Sequence, residues 1–116
     1  MTCFRGSEED VLDRYYQCAK KYKLDIIVRV TSDCPLIDPY LLDKCVYSFF
    51  NQDWSEHEAG YLGTTHPHPY NELRYPDGTD VEIFTFACLK SAWHNTTNHG
   101  DEKHKGNERE HVTTYI

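Results

Sequence analysis

The spacing of hydrophobic and polar residues predicts a helix followed by a strand in the first 30 residues. Ser7, followed by three acidic residues, predicts a helix start, because a hydroxyl can cap the first turn and acids suit its positive end. The helical stripe comprises Val11, Tyr15, Cys18 and Tyr22, with Leu12 and Ala19 beside it. Residues 25–30 form a short β-branched run, typical of a strand covered on both faces.

The rest of the chain continues to alternate predicted helices and strands. Asp38 and Pro39 supply a cap and a first-turn proline for a second helix. Its predicted apolar face comprises Leu41, Leu42, Cys45, Val46, Phe49 and Phe50. Residues 61–63 and 80–86 are predicted strands, the latter with Val81 and Ile83 on one side. Residues 87–93 are a predicted helix with Leu89, Ala92 and Trp93 on its buried side. Residues 95–106 are predicted to form a hydrophilic loop, and residues 107–110 have the spacing of a capping box before a last helix.

Alternating helices and strands indicate the α/β class, with a sheet flanked by helices. The chain has 116 residues, enough for one small domain. About three strands are recognisable, which is few for a sheet of this type. Both ends resemble breaks in a larger fold, so we expect one partial domain over residues 1–116.

Composition and charge narrow the function. The net charge of −7 argues against sequence-independent nucleic-acid binding, but a nucleotide can still bind through a metal that supplies local positive charge. No apolar run could span a bilayer and no apolar leader is present, so a cytoplasmic location without a membrane partner is expected. The five cysteines are scattered and odd in number, which predicts reduced thiols. The seven histidines do not complete a four-ligand zinc site with them.

One acidic residue stands where α/β sheets bind ligands. Asp33 follows the strand at residues 25–30 and precedes Pro35. A carboxylate at the carboxyl end of a buried strand is placed to hold Mg²⁺ against a phosphate chain. The same residue can instead cap the turn before the proline, and both interpretations remain open on the pattern alone.

Three other clusters carry candidate chemistry. Residues 5–14 place a glycine before a helix start, an arrangement that suits an anion but also an ordinary capped helix. Asp80 and Glu82 project from one face if the strand begins there, and they could bind sugar hydroxyls, help to place a metal or lie in solvent. His111, next to Glu110, could act as a general base or be structural.

Four blocks in order resemble one enzyme family. Residues 29–39 resemble the signature R-[IV]-T-[GS]-D-C-P-L-I-D-P of the cytidylyltransferases typified by spore coat polysaccharide biosynthesis protein F, relatives of the acylneuraminate and Kdo cytidylyltransferases. Residues 5–14 resemble its R-G-[ST]-E-x-D-V-L-x-R block, residues 75–84 its Y-P-x-G-x-D-V-E-V-F block and residues 109–116 its R-E-H-V-T-x-Y-I block. The resemblance spans nearly the whole chain.

The resemblance implies a GT-A-like, Rossmann-related nucleotidyltransferase fold with a mixed, mostly parallel sheet flanked by helices. It also implies a reaction. CTP and a sugar or sugar acid would give a CMP-sugar and pyrophosphate for surface glycan biosynthesis, with Mg²⁺ as cofactor. Asp33 would be the catalytic residue that holds the metal. The nucleotide side would comprise Arg5, Gly6, Ser7, Asp10 and Arg14, and the acceptor side Asp80, Glu82, Glu110 and His111. A homodimer is compatible with this interpretation.

Family members also carry a glycine-rich phosphate loop and a further metal-binding aspartate outside the matching blocks. The chain therefore resembles the central part of such an enzyme, and we predict that it does not turn over alone. Two alternatives remain: a nucleotide-binding remnant or interaction subunit without catalysis, and a GT-A glycosyltransferase. Asp33-Cys34-Pro35 is not the D-x-D motif of the latter.

Overall fold

The α/β class is confirmed by a computed structural model that describes residues 2–54, 60–64, 79–98 and 112–113. The elements in chain order are α1 (Val11–Tyr22), β1 (Ile26–Val30), α2 (Pro39–Phe50), β2 (Tyr61–Gly63), β3 (Val81–Thr85) and α3 (Phe86–Asn98). The chain divides into two compact units, Met1–Asp25 with Thr85–Ile116 and Ile26–Phe84. No helix in the described ranges is long and apolar enough to cross a membrane.

The first unit is held together by aromatic packing between α1 and α3. The Tyr16 ring stacks on Trp93 at 4.4 Å and on Phe86 at 5.8 Å between centroids. Trp93 Nε1 donates a hydrogen bond to Asp13 Oδ1 at 2.8 Å, which ties the two helices across 80 residues of sequence. The buried side chains of this unit include Leu12, Tyr16, Ala19, Leu89, Ala92 and Val112.

Two predictions about α1 are wrong. The helix begins after Asp10, which accepts from Asp13 N, while Ser7 Oγ accepts from Asp10 N one step earlier. Ser7 therefore fixes the capping residue and is not itself the cap. The buried residues of α1 are Leu12, Tyr16 and Ala19. Leu12 and Ala19 are predicted beside the stripe, but Tyr16 is not predicted, and the stripe itself is not buried, because α3 contacts the Tyr16 side of the helix.

The predicted start of α3 is close to the observed one, but its end is not. The helix continues through residues 95–98, which we had expected to be loop. Thr96 is buried, and its hydroxyl donates to the carbonyl of Ala92 at 2.9 Å, which satisfies the hydroxyl without leaving the helix. The predicted loop over 99–106, the capping box at Asn107 and Glu110 and most of the last helix lie outside the described residues.

The second unit is built on a sheet with strand order β1-β3-β2 among the described residues. β2 and β3 are antiparallel, with Leu62 opposite Ile83 and Gly63 opposite Glu82. One face of the sheet is covered by α2, whose Leu41, Cys45 and Phe49 lie four residues apart and pack on Val81 and Ile83. The predicted cap is confirmed, since Asp38 Oδ1 accepts from Tyr40 N at 2.9 Å.

Two expectations about this unit are wrong. β1 is not covered on both faces in the described residues: Val28 is 42% exposed and Val30 36%. β1 lies at an edge of the described sheet, and the α2 core reaches Ile26 but leaves the later valines at the surface. Phe50, assigned to the apolar face of α2, is also exposed, because it follows Phe49 by one position and points away from the sheet.

The cysteines are reduced, as predicted. All five are free: Cys3 is exposed, Cys18 is half-buried, and Cys34, Cys45 and Cys88 are buried. Burial raises the pKa of the Cys45 thiol, while the nearby Lys44 charge acts in the opposite direction. Three cysteines therefore fill apolar space as small side chains.

Candidate functional site

The turn between β1 and α2 presents Asp33 to solvent. Two consecutive turns shape this segment: Cys34 N donates to Thr31 O at 3.2 Å and Ile37 N to Cys34 O at 3.3 Å. Cys34 is buried, with its Sγ atom 3.4 Å from Thr31 Oγ1 and 3.9 Å from Asp33 Oδ1. The Cys34 side chain is buried and fixes the turn against the protein interior, so the Asp33 carboxylate stays at the surface in a defined position.

The turn also keeps Asp33 ionised. A hydrogen bond from the Thr31 hydroxyl lowers the pKa of Asp33 below its usual 3.8, and the residue's own backbone N–H adds to that effect. Desolvation raises the same pKa, and the Arg29 charge lowers it by less than desolvation raises it, so the two hydrogen bonds decide the direction. An exposed carboxylate that remains charged at any physiological pH is a hard oxygen ligand ready for a cation.

The described residues fit one kind of metal site. They contain no group of three or more His, Cys, Asp or Glu side chains that could hold a metal ion. An all-protein cage for Ca²⁺ or Zn²⁺ therefore does not occur in these ranges. Mg²⁺ keeps several waters and binds through one or two carboxylates plus substrate phosphates, which matches the single exposed carboxylate of Asp33.

A second polar group lies on the face of the sheet opposite α2. Glu82 in β3 is 8% exposed, and its Oε2 forms an ion pair with Arg29 Nη1 of β1. Its Oε1 accepts a hydrogen bond from Tyr61 Oη of β2 at 3.2 Å. Both carboxylate oxygens of Glu82 thus have protein partners, one from each neighbouring strand.

Asp80 directly precedes β3, which begins at Val81, so the expectation that Asp80 shares the face of Glu82 stays a prediction. Thr64 fixes the backbone on either side of it: Thr64 Oγ1 donates to Thr79 O at 3.2 Å and accepts from Val81 N at 2.9 Å. Asp80 is half-buried. Its position is set by the hydrogen bonds that Thr64 forms with the backbone of Thr79 and Val81.

The N-terminal block forms a local cluster in the other unit. Arg14 Nη1 donates to the carbonyl of Ser7 at 2.9 Å, and Ser7 Oγ accepts from Asp10 N at 3.0 Å. A Cβ atom on Gly6 would lie 3.0 Å from Arg14 Cγ, so the glycine allows the loop to pass close to the arginine. The structure therefore brings Gly6, Ser7, Asp10 and Arg14 together, with the exposed Arg5 next to them in sequence.

Arg14 also borders an open cavity of about 480 Å³ along α1. Three of the four side chains of the predicted apolar stripe, Tyr15, Cys18 and Tyr22, line this cavity instead of filling the core. The lining comprises Thr2, Phe4, Arg14, Tyr15, Cys18, Tyr22 and Leu24.

Of the predicted acceptor residues, Glu110 and His111 lie outside the described residues. Sequence reasoning missed Arg29 and Tyr61, which contact Glu82. A usable signal existed for Arg29, because an arginine between Val28 and Val30 in one strand and a glutamate between Val81 and Ile83 in another predict a buried opposite-charge pair. No comparable signal marked Tyr61, whose role depends on its strand neighbours.

Comparisons with known proteins identify the family of the chain. A family model described as cytidylyltransferase matches residues 1–116. An uncharacterized protein of Methanocaldococcus jannaschii is 41% identical over 113 residues, which cover 97% of this chain and 38% of that protein. The spore coat polysaccharide biosynthesis protein SpsF of Bacillus subtilis is 47% identical over 49 residues, covering 42% of this chain and 20% of that protein.

A solved structure is similar as well. The structure of a cytidylyltransferase from Leptospira borgpetersenii matches with a TM-score of 0.73 and 36% identity, over 97% of this chain and 41% of that one. The chain thus spans about two-fifths of the length of the relatives that it matches along nearly all its residues. With the family model matched from end to end, the chain belongs to the cytidylyltransferase family.

Proposed function

We propose that this chain contributes the metal-binding and acceptor-facing part of an enzyme that transfers CMP from CTP to a sugar or sugar acid. A hydroxyl oxygen of the sugar or sugar acid would form a bond to the α-phosphorus of CTP. The bond from that phosphorus to the bridging oxygen would break, pyrophosphate would leave with the electron pair, and any hydroxyl proton would pass to base or solvent. The product is a CMP-sugar of the kind used in surface glycan synthesis.

The observation that carries this proposal is the exposed, ionised carboxylate of Asp33 at the end of β1. Asp33 would hold Mg²⁺, which when bound neutralises charge on the phosphates and on the leaving pyrophosphate. Thr31 and Cys34 keep the carboxylate in place before the metal arrives, so little ordering remains to be done on binding.

The other predicted residues would orient the two substrates. The cluster of Gly6, Ser7, Asp10 and Arg14, with Arg5 beside it, would contact the nucleotide through backbone groups and one cation. The acceptor side would comprise Asp80, Glu82, Glu110 and His111. Asp80 would accept hydrogen bonds from sugar hydroxyls.

Calorimetric titration of CTP with and without Mg²⁺ tests the proposal. We expect Mg²⁺ to tighten CTP binding, and Asp33→Asn to weaken the Mg²⁺-dependent binding at least tenfold, about 1.4 kcal/mol. Asp43→Asn is the matched control, because Asp43 is an exposed aspartate of α2 and its loss should leave the titration unchanged.

Two results would contradict the proposal. One is CTP binding by the folded chain that does not respond to Mg²⁺, and the other is an equal loss in Asp33→Asn and Asp43→Asn. Titration of UTP, ATP and GTP under the same conditions tests the base, and we expect CTP to bind most tightly.

A further inference from the structure

One residue from each strand of the described sheet meets at Glu82. Arg29 comes from β1, Tyr61 from β2 and Glu82 from the central strand β3. The Arg29 and Glu82 side chains are only 15% and 10% exposed. An ion pair shielded from water in this way fixes side-chain geometry more firmly than a surface pair, because breaking it leaves a buried charge.

The glycine opposite Glu82 is part of this arrangement. A Cβ atom on Gly63 would lie 2.6 Å from Tyr61 Oη, a distance that no real contact tolerates. The phenol ring therefore lies over the Gly63 backbone, and this path brings its hydroxyl to Glu82. Gly63 is thus needed for the hydrogen bond although it has no polar side chain.

The network acts on the end of β1. Arg29 is the penultimate residue of that strand, and Asp33 follows four positions later. Glu82, itself fixed by Tyr61, holds the Arg29 guanidinium and with it the strand that leads into the Asp33 turn.

We infer that Tyr61 and Glu82 are positioning residues, which set the place of Arg29 and thereby hold the end of β1 and the turn that carries Asp33 in position for a metal-bound nucleotide. This inference rests on the proposed function of Asp33. It also changes the part given to Glu82: the carboxylate acts through Arg29 and does not contact the acceptor sugar directly.

Tyr61→Phe is the mildest test, because it removes one hydroxyl and leaves the ring. The quantity to measure is the ratio of the CTP Kd without Mg²⁺ to that with Mg²⁺. We expect Tyr61→Phe to lower this ratio about threefold to tenfold, the range of a single hydrogen bond. Tyr47→Phe, at an exposed tyrosine of α2, should leave it unchanged.

A second variant, Gly63→Ala, perturbs the hydrogen bond between Tyr61 and Glu82 without removing a polar group. Gly63→Ala should displace the Tyr61 hydroxyl and lower the same ratio, whereas Gly60→Ala, whose Cβ would meet Trp54 at 2.9 Å, should not. In Tyr61→Phe the displaced hydroxyl is already absent, so adding Gly63→Ala should change the ratio little further.

A readout without metal or nucleotide separates positioning from general stability. In the metal-free chain, exchange of the Arg29 side-chain N–H with water, followed by NMR, should be at least threefold faster in Tyr61→Phe and Gly63→Ala. The two control variants should match the original chain.

The outcomes distinguish the two proposals. If Asp33→Asn removes the Mg²⁺ dependence but folded Tyr61→Phe and Gly63→Ala leave it intact, the positioning role is overturned and the function of Asp33 stands. If Asp33→Asn leaves the Mg²⁺ dependence intact, both are overturned. If Tyr61→Phe loses stability with an unchanged ratio, the network is structural only.

Discussion

Removing one charge from the Arg29–Glu82 pair should destabilise the chain severely, and removing both charges should restore most of the loss. Glu82→Gln keeps a side chain of the same shape that can still accept from Tyr61 Oη, but it leaves the Arg29 cation without its counter-charge. Arg29→Met leaves the carboxylate in the same condition. The double variant has neither charge.

The magnitude follows from burial. With the two side chains 15% and 10% exposed, water cannot replace the lost partner effectively. Breaking a buried pair from one side costs about 3–5 kcal/mol, whereas replacing both members with neutral groups is often neutral. A typical domain unfolds with only about 5–15 kcal/mol, so either single variant should lose a large part of its stability. The double variant should lie within about 1.5 kcal/mol of the original chain.

Urea unfolding followed by fluorescence and circular dichroism measures these losses. Trp54 reports on the unit that contains the pair, because its Nε1 donates to Phe49 O at 2.8 Å and its ring packs on Phe49. Trp93 reports on the other unit. Asp43→Asn and Lys44→Met remove exposed charges from α2 and serve as controls, each expected to change stability by less than about 0.5 kcal/mol.

Two outcomes of the double-mutant cycle would refute the claim that Arg29 and Glu82 form a coupled, buried ion pair. Single losses below about 1 kcal/mol with no coupling between them would show that the pair behaves like an exposed one. A double variant as unstable as the sum of the singles would show that the two charges do not act on each other. Either result would remove the physical basis for a fixed Arg29.

Two further predictions concern ionisable groups. Thr31→Val removes the hydroxyl donor and should raise the pKa of Asp33 toward 3.8, measured by carbon NMR of the carboxyl; an unchanged midpoint would contradict the assignment. Because folding lowers this pKa, ionised Asp33 favours the folded state above about pH 3.8, and the contribution disappears as the pH falls through the folded value. Iodoacetamide should label exposed Cys3 quickly and Cys45 only after unfolding, since burial shields that thiol and raises its pKa; equal labelling rates would contradict its burial.

Local patterns predicted those parts of the fold that local chemistry decides. The start of α2 follows from Asp38 and Pro39, because a carboxylate cap and a fixed φ act within one turn. The alternation of Val81 and Ile83 likewise predicts the buried face of β3. The predicted end of α3 was wrong because Thr96, a weak helix former, is kept in the helix by its burial and by a hydrogen bond to the carbonyl of Ala92.

Parts that depend on distant contacts were not predictable. The buried stripe of α1 is decided by Phe86 and Trp93, which stack on Tyr16 from a helix more than 60 residues away. Asp33 could be predicted as a candidate site residue because its signal lies within one short segment. The contact of Tyr61 with Glu82 was missed because it depends on the pairing of β2 with β3, two segments that the sequence separates.

Locating a bound metal–nucleotide complex on the chain tests most directly whether Asp33 holds the metal. Mn²⁺, which accepts the same oxygen ligands as Mg²⁺, broadens nearby NMR signals when added to isotope-labelled chain with CTP. We predict selective broadening of the backbone amides of residues 31–34, lost in Asp33→Asn and retained in Asp43→Asn. Broadening centred elsewhere, or unchanged in Asp33→Asn, would contradict the assignment of Asp33 as the metal ligand.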